Sequence, residues 1–204
     1  MTPHERDPLV VHGPRLQLRY PRAEDAARLF ELASDPQVTR WFSWGPYTEV
    51  AQASAWIDAQ PARREAGEIM DFLVVGEQGA LGVTGLTEIA RRDRRATVGS
   101  WLGQPYWGSG VNFEAKAMVA ALAFQRLGME RLTAWANTRN GRSQRALERV
   151  GFRREGVLRA WHRHGEEMHD VVVFALVRGV WERSALAEVP VRIEGTPPPA
   201  FIVS

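Results

Sequence analysis

The alternation of apolar and polar residues along the first half of the chain predicts one strand, two helices and three further strands. Residues 16–20 alternate with a period of two, which is typical of a half-buried strand. Apolar residues recur with a helical period over 21–34, and Pro36 is expected to end that helix. A second helix is predicted over 48–66, with Thr48 as its N-cap. Period-two segments joined by polar turns then predict an antiparallel meander of strands at 69–76, 81–89 and 96–102.

The second half alternates helices and strands, and its longest element is a helix. That helix is predicted over 109–127, with Gly128 at its end. It is followed by a strand at 131–136, a short helix at 140–150 and strands at 152–161 and 171–177. The unit from 96 to 136 should form a right-handed parallel crossover. The sequence therefore predicts an α+β fold, in which helices flank a mixed, mainly antiparallel sheet of six to seven strands.

No repeat or linker divides these elements, so a single domain is predicted over residues 1–183. The remaining residues, 184–204, include the segment EVPVRIEGTPPPAFIVS, which has four prolines and no helical period. This Pro-rich stretch is expected to be either an extended arm or a disordered end.

Composition excludes several classes of protein. With 45% hydrophobic and 25% charged residues, the 204-residue chain is typical of a folded globular protein and not of a disordered one. It has no long apolar run and a polar N-terminus, so we expect a cytoplasmic protein that is neither membrane-spanning nor secreted. The absence of cysteine excludes thiolate nucleophiles and cysteine-ligated zinc, and no metal is expected.

Arginine accounts for the basic pI of about 9.5, which accompanies a net charge of only +2. Lys116 is the single lysine among 26 basic residues, and arginine does not titrate below about pH 12. The high pI is therefore weak support for nucleic-acid binding, although the arginine-rich turn at 91–95 keeps that function as an alternative.

The segment WLGQPYWGSGVNFE, at 101–114, has the features of an anion-binding turn. A strand ends there, Gly108 and Gly110 are separated by one residue, and a helix begins at once. Glycine lets a ligand approach the backbone, and the free amides and dipole of a helix start favour a phosphate. The alternative is a tight turn without a ligand. A Walker loop is excluded because no Gly-Lys-Ser/Thr follows.

A second motif begins at Asn137 and reads NTRNGRSQRALERVGFRREGVLR. With the glycine turn, it resembles the general N-acetyltransferase (GNAT) superfamily, and more narrowly the Rim-type branch that acetylates the N-termini of bacterial ribosomal proteins. The resemblance covers about residues 16–181. The positions that match within this second motif are Asn140, Ser143, Leu147, Gly151, Phe152, Glu155 and Gly156.

The resemblance implies that acetyl-CoA lies between two parallel strands that splay apart, 96–102 and 131–136. Asn140 would bond the pantetheine arm. Arg145, with Arg142 and Arg149, either contacts the 3′-phosphate of CoA or lies on a solvated helix face. The family's Arg or Gln three residues before the first glycine is here Pro105, which leaves one phosphate contact unassigned. The pyrophosphate would be bound by the backbone of Trp107, Gly108, Ser109, Gly110, Val111 and Asn112.

The chemistry implied is attack of an amine on a thioester, which needs a base, an oxyanion site and a proton for the thiolate. Ser143 matches the position whose hydroxyl serves the thiolate, or it merely caps a helix. His162 and Glu88 are the candidate bases. The alternatives are a histidine at a strand edge for the first and a solvated charge for the second.

The aromatic residues Trp41, Trp44 and Tyr47 precede the second helix, where the family has its acceptor loop. They line an acceptor pocket or pack the helices onto the sheet. The resemblance implies a primary amine as acceptor, on a protein N-terminus or a small molecule. The sequence shows no second carboxylate, which favours an α-amine, with a pKa near 8, over lysine. A catalytically silent acyl-CoA-binding module is the alternative function, and a homodimer is left open.

Overall fold

The computed structural model describes residues 8–203, and the strands in that part of the chain form one sheet. Their order across the sheet is β7-β8-β6-β5-β4-β3-β2-β1-β9. The pairs are antiparallel except β5 and β6, which are parallel. The strands are β1 (Val10–His12), β2 (Gln17–Arg19), β3 (Ile69–Gly76), β4 (Gly79–Ala90), β5 (Arg95–Leu102), β6 (Arg131–Asn137), β7 (Arg153–His164), β8 (Glu167–Val177) and β9 (Arg192–Glu194).

Four helices of two or more turns connect the strands: α1 (Ala26–Ala33), α2 (Val50–Glu65), α3 (Val111–Ala121) and α4 (Gly141–Arg149). A π-helical turn, Leu122–Arg126, continues α3. Single helical turns occur at Ala23–Asp25, Pro36–Thr39, Gln104–Tyr106, Arg178–Trp181 and Pro199–Phe201. Between residues 8 and 203, no helix has the length and apolar character needed to cross a membrane.

The helices cover the two faces of the sheet with separate apolar clusters. Alternation along β3 sends Phe72 into the larger cluster with α3, and Leu73 into a smaller cluster with α1 and α2. We call these the α3 face and the α1–α2 face. Each side chain of a central strand can therefore be assigned to one face from its position in the register.

The α+β class, the meander of β3 to β5 and the parallel crossover are confirmed. The predicted helix before Pro36 does end there, at Ala33 with Ser34 as its C-cap, and Pro36 begins a separate turn, Pro36–Thr39, which the Asp35 carboxylate caps by accepting the Gln37 amide at 2.8 Å. One local prediction is wrong. Thr48 is not the N-cap of α2. Glu49 holds that position, since the Gln52 side chain reaches back to the backbone N–H groups of 48 and 49.

The sheet is wider than predicted because two three-residue strands were missed, and one of them belongs to the Pro-rich tail. β9 pairs antiparallel with β1, with Ile193 opposite Val11. Phe201 is fully buried in the larger cluster, and the Val203 N–H donates to the Leu127 carbonyl at 3.0 Å. The tail therefore adds a strand to the sheet and a buried aromatic residue to the core.

Candidate active site

The parallel strands β5 and β6 part after three register pairs and leave an opening in the sheet. The last pair is Thr97 with Thr133, while β5 continues to Leu102 and β6 to Asn137. Backbone groups along the separated edges lack their strand partner and can bond an extended ligand. The opening therefore suits the pantetheine arm of acyl-CoA, which carries amide groups along an extended chain.

The glycine turn stands at the end of β5 and leads directly into α3. Gly108 and Gly110 have φ of 76° and 88°, a region that favours glycine, and Gly110 is the N-cap of α3. The Ser109 hydroxyl donates to the Tyr106 carbonyl at 2.7 Å, and its oxygen accepts the Val111 N–H at 3.5 Å. Because the N-cap Gly110 has no side chain, the next two amides of α3, those of Asn112 and Phe113, are available to an anion.

Two arginines flank this turn and supply the positive charge that Pro105 lacks. Arg15 Nη2 lies 3.2 Å from the position a Cβ atom on Gly110 would take. Its Nε donates to the buried Glu114 carboxylate at 3.0 Å, which orients the side chain. Arg142 lies over the Trp107 ring, 3.2 Å from its centroid. Sequence reasoning missed Arg15 because it precedes the turn by almost a hundred residues.

A cleft of about 220 Å³ opens beside the turn, and residues from three predicted groups line it. Trp107 comes from the glycine turn, Asn140 and Arg142 from the start of α4, and Trp41 from the aromatic segment. The structure therefore brings the cofactor motifs together and places Trp41 with them, apart from the other aromatic residues of its segment.

The start of α4 separates the roles predicted for Asn140 and Ser143. Asn140 is the N-cap, and its Oδ1 accepts the Ser143 N–H at 3.2 Å. The capping alternative for the Ser143 hydroxyl is therefore wrong, because the asparagine carboxamide does that work. Arg145 folds back over the helix start, with Nη1 3.1 Å from the position of a Cβ atom on Gly141.

Glu88 lies in a β-bulge near the end of β4 and bonds to the point where the strands part. Its φ is 50°, and its Oε2 accepts the Thr97 hydroxyl at 2.6 Å. Thr97 is buried and belongs to the last pair between β5 and β6. Glu88 is exposed, as expected for a solvated charge, but it is also tied to the edge of the opening.

His162 lies on the other side of the opening and packs on a residue of β6. Its ring centroid is 4.9 Å from that of Trp135, and its Nε2 is buried without a hydrogen-bond partner within residues 8–203. Burial lowers the pKa of His162, with further contributions from His164 and His169. Burial therefore favours the neutral imidazole, which is a weaker base than a free histidine.

The aromatic residues Trp44 and Tyr47 lie on the α1–α2 face of the sheet. Trp44 is 5.5 Å from Tyr47 and 5.5 Å from Trp101 of β5, measured between ring centroids. Tyr47 packs against the smaller apolar cluster. Since Trp101 borders the opening, Trp44 combines packing with a position beside the site.

Lys116 is a buried cation that sequence reasoning did not connect with the site. It is 4% exposed, and its Nζ donates to Ser100 Oγ of β5 at 2.5 Å. Burial lowers its pKa to about 8. Ser100 lies beyond the last pair of β5 and β6, so the amine lies on the α3 side of the opening.

Comparison with known proteins identifies the family. The protein-family model for the acetyltransferase (GNAT) domain matches residues 15–153 of this chain. The chain belongs to the GNAT acetyltransferase family. The acetyltransferase is 30% identical over 171 residues to the uncharacterized N-acetyltransferase p20 of Bacillus licheniformis, covering 83% of this chain and 96% of p20.

Solved structures show the same fold. The Mycobacterium smegmatis RimJ in complex with CoA-disulfide has a TM-score of 0.76 at 22% identity, over 87% of this chain and 91% of RimJ. The microcin C7 self-immunity acetyltransferase MccE, in complex with acetyl-CoA and AMP, has a TM-score of 0.74 at 19% identity, over 80% of this chain and 93% of MccE. The acetyltransferase is thus an acetyl-CoA-dependent N-acetyltransferase with the GNAT fold, and the resemblance stated from sequence is confirmed.

Proposed function

We propose that this acetyltransferase moves an acetyl group from acetyl-CoA directly to a primary α-amine, carried by a protein N-terminus or a small molecule. The observation that carries the proposal is that β5 and β6 separate after the pair Thr97 and Thr133. This separation makes an opening that can be reached from two different surfaces of the protein. The glycine turn lies at the end of β5, and Trp44 and Trp101 lie on the α1–α2 face. The two substrates would then reach the opening from different sides, as a ternary complex requires.

Basic and backbone groups around the turn would hold acetyl-CoA. The amides of residues 107–112 would bind the pyrophosphate, with Arg15 and Arg142 adding charge. The Asn140 oxygen caps α4, which leaves its amide nitrogen to donate to a pantetheine carbonyl. Arg145, on the same helix start, would contact the 3′-phosphate. Charged donors bind phosphate strongly because they combine hydrogen bonding with Coulomb attraction.

Ser143 would return a proton to the CoA thiolate. Its hydroxyl is free for that role because Asn140 caps the helix. For deprotonation of the amine, Glu88 and His162 flank the opening on the β5 and β6 sides. Neither residue would form a covalent intermediate. Either one would remove a proton from an amine that enters from the α1–α2 face.

The acceptor follows from amine basicity. At pH 7 an α-amine with pKa near 8 is about 10% neutral, whereas a lysine amine near 10.4 is about 0.04% neutral. A site with weak bases therefore suits the α-amine. Trp44, beside Trp101, would contact the acceptor next to that amine, so Trp44→Ala should raise the acceptor KM more than the acetyl-CoA KM.

Two measurements on the full chain test the proposal: the melting temperature with acetyl-CoA, and release of free CoA with an amine panel. We expect stabilisation by acetyl-CoA, because a ligand of the folded state adds to its stability. We also expect faster CoA release with free-N-terminus peptides than with N-terminally blocked lysine peptides.

Ser143→Ala should lower kcat by about 10- to 1000-fold at similar acetyl-CoA affinity.

Gly110→Val should abolish the stabilisation by acetyl-CoA. Gly79→Val is the matched control, because Gly79 has a similar φ of 86° in the exposed turn between β3 and β4. Both variants carry the same backbone strain, and only the first blocks the anion turn. An unchanged melting curve of the wild type with excess acetyl-CoA would contradict the proposal. Stabilisation without CoA release from any amine would instead indicate a silent binding module.

A further inference from the structure

Three neighbouring strands place one acidic residue and two glycines side by side. Asp71 of β3 is opposite Gly85 of β4, and Gly85 is opposite Gly99 of β5. Alternation along β5 puts Gly99 on the same face as Trp101, which belongs to the α1–α2 face. The row of Asp71, Gly85 and Gly99 therefore runs across this face to the opening between β5 and β6.

The Asp71 carboxylate lies over the middle glycine of the row. A Cβ atom placed on Gly85 would be 2.1 Å from Asp71 Oδ1, so only glycine at 85 permits this position. Adjacent strands are about 4.8 Å apart, which brings the carboxylate within roughly one strand spacing of Gly99. A Cβ atom placed on Gly99 would meet no atom of the described chain within 4 Å. The space beside the carboxylate is therefore open.

The space above Gly99 is where the reacting groups would meet. Thr97, two residues earlier, belongs to the last pair before the strands part. Trp101, two residues later, contacts Trp44. A thioester held in the opening would present its carbonyl carbon to this space, and an amine entering beside Trp44 would reach the same point.

Asp71 has the chemistry of a proton acceptor. Burial raises its pKa to about 7, and the Arg63 guanidinium at the end of α2 opposes this. No hydrogen bond to another of the described residues 8–203 contributes to its ionisation. The other acid beside the row is Glu88, which is bonded to Thr97. Asp71 is therefore a second carboxylate at this site, contrary to the sequence analysis.

We propose that Asp71 binds the ammonium group of the acceptor and removes its proton, an inference that rests on the acetyl transfer proposed above. An amine nitrogen in the space above Gly99, displaced by about 2 Å toward Gly85, would lie within hydrogen-bond reach of the Asp71 oxygen above Gly85, because adjacent strands are about 4.8 Å apart and such bonds span about 3 Å. The carboxylate takes one proton, and the freed lone pair forms the bond to the thioester carbon. The carbon–sulfur bond breaks, its electron pair leaves with sulfur, and the surplus proton of the nitrogen is delivered to the thiolate. Asp71 then releases its own proton to water.

With Asp71 as the base, the class of amines that can act as acceptor becomes narrower. Proton transfer from an α-amine of pKa near 8 to a carboxylate of pKa about 7 is unfavourable by about tenfold. Transfer from a lysine amine near 10.4 is unfavourable by a factor of roughly 2,500. Asp71 therefore selects amines of low basicity.

The test compares Asp71→Asn with wild type in kcat/KM for a free-N-terminus peptide between pH 5 and 9. We expect a loss of about 100-fold or more at pH 7 and loss of the acidic limb of the profile. Stabilisation by acetyl-CoA should be unchanged. Asp71→Glu should retain an acidic limb, which a merely structural role would not require. Asp58→Asn, the same change on the exposed side of α2, is the matched control.

Wild-type kcat/KM and an unmoved acidic limb in Asp71→Asn would overturn the proposal, as would loss of that limb in Glu88→Gln or His162→Gln instead. If wild type transfers acetyl to no amine, the proposed function fails and a binding measurement decides the role of Asp71. Phenylalaninamide should raise the melting temperature of the CoA-bound wild type but not of CoA-bound Asp71→Asn. Equal responses of the two proteins would overturn ammonium binding by Asp71.

Discussion

At the residue scale, Lys116 has a buried amine whose protonation is linked to folding. Burial lowers its pKa from 10.5 to about 8. The unfolded chain therefore binds more protons than the folded chain between about pH 8 and 10.5, and stability rises with pH through that window. We expect Lys116→Met to remove this rise, which amounts to at most about 1.4 kcal/mol for each pH unit. Urea unfolding of both proteins at pH 7.5, 9 and 10 measures the difference.

Ser100→Ala is the control for this prediction. It removes the hydroxyl that accepts from Lys116 Nζ but keeps the buried amine, so the dependence on pH should persist. Parallel stability profiles of wild type and Lys116→Met would show that the lysine is not protonated differently in the folded and unfolded chains.

Residues within one short segment could be predicted from sequence, and residues brought together by the register could not. Gly108, Gly110 and Asn140 stand at helix starts, where local backbone demands restrict the residue type. Arg15 and Asp71 belong to the site only through strand register and helix packing. An isolated Asp in an apolar strand gives no local signal of what lies on the neighbouring strand.

At the element scale, Glu114 joins α3 to the loop between β1 and β2. Its Oε1 accepts the backbone N–H groups of Arg15 at 2.7 Å and Leu16 at 2.9 Å, and its Oε2 accepts Arg15 Nε at 3.0 Å. One buried carboxylate thus fixes the loop and aims an arginine at the glycine turn. The same helix, α3, therefore carries the glycine turn at its start and the carboxylate that holds the Arg15 side chain.

Glu114→Gln should separate these two functions. The carboxamide oxygen can keep both backbone bonds, but its NH2 group would face the Arg15 N–H donor and release that side chain. We expect the acetyl-CoA KM to rise about three- to tenfold, with a stability loss near 1 kcal/mol. Steady-state kinetics and urea unfolding measure the two effects.

Arg15→Ala should reproduce the change in KM with little loss of stability, because its side chain is exposed. Glu114→Ala should release both the loop between β1 and β2 and the Arg15 side chain. It should therefore lower stability more than Glu114→Gln or Arg15→Ala does. An acetyl-CoA KM that neither Glu114→Gln nor Arg15→Ala alters would contradict the role of Arg15 in phosphate binding.

The elements that sequence predicted best are long and periodic, whereas those that were missed are short. β1 and β9 have three residues each, too few to show alternation. The cap of α2 was misplaced by one residue because Gln52 bonds the N–H groups of both Thr48 and Glu49. Which residue is the cap depends on a side chain within the helix, not on the flanking threonine.

At the scale of the whole molecule, the last residues of the C-terminal arm pack against the core at the end of α3 opposite to the glycine turn. Phe201 is fully buried in the larger cluster, and Val203 bonds Leu127 just beyond the π-helical turn that follows α3. The glycine turn lies at the other end of the same helix. The last residues of the arm therefore contribute to the stability of α3 at the end of the helix that lies away from the glycine turn.

Phe201→Ala should consequently lower stability while leaving catalysis intact. Removing a buried phenylalanine side chain costs about 3–5 kcal/mol, and for a chain of this length the melting temperature should fall by roughly 10 °C. Thr196→Ala, an exposed truncation in the same arm, should have little effect. Below the melting transition, the kcat and acetyl-CoA KM of Phe201→Ala should match wild type. The opening between β5 and β6 is remote from the cavity that the missing phenylalanine ring would leave. Wild-type stability would show that the arm is an appendage to a core that is complete without it, whereas an altered KM would show that the two ends of α3 are coupled.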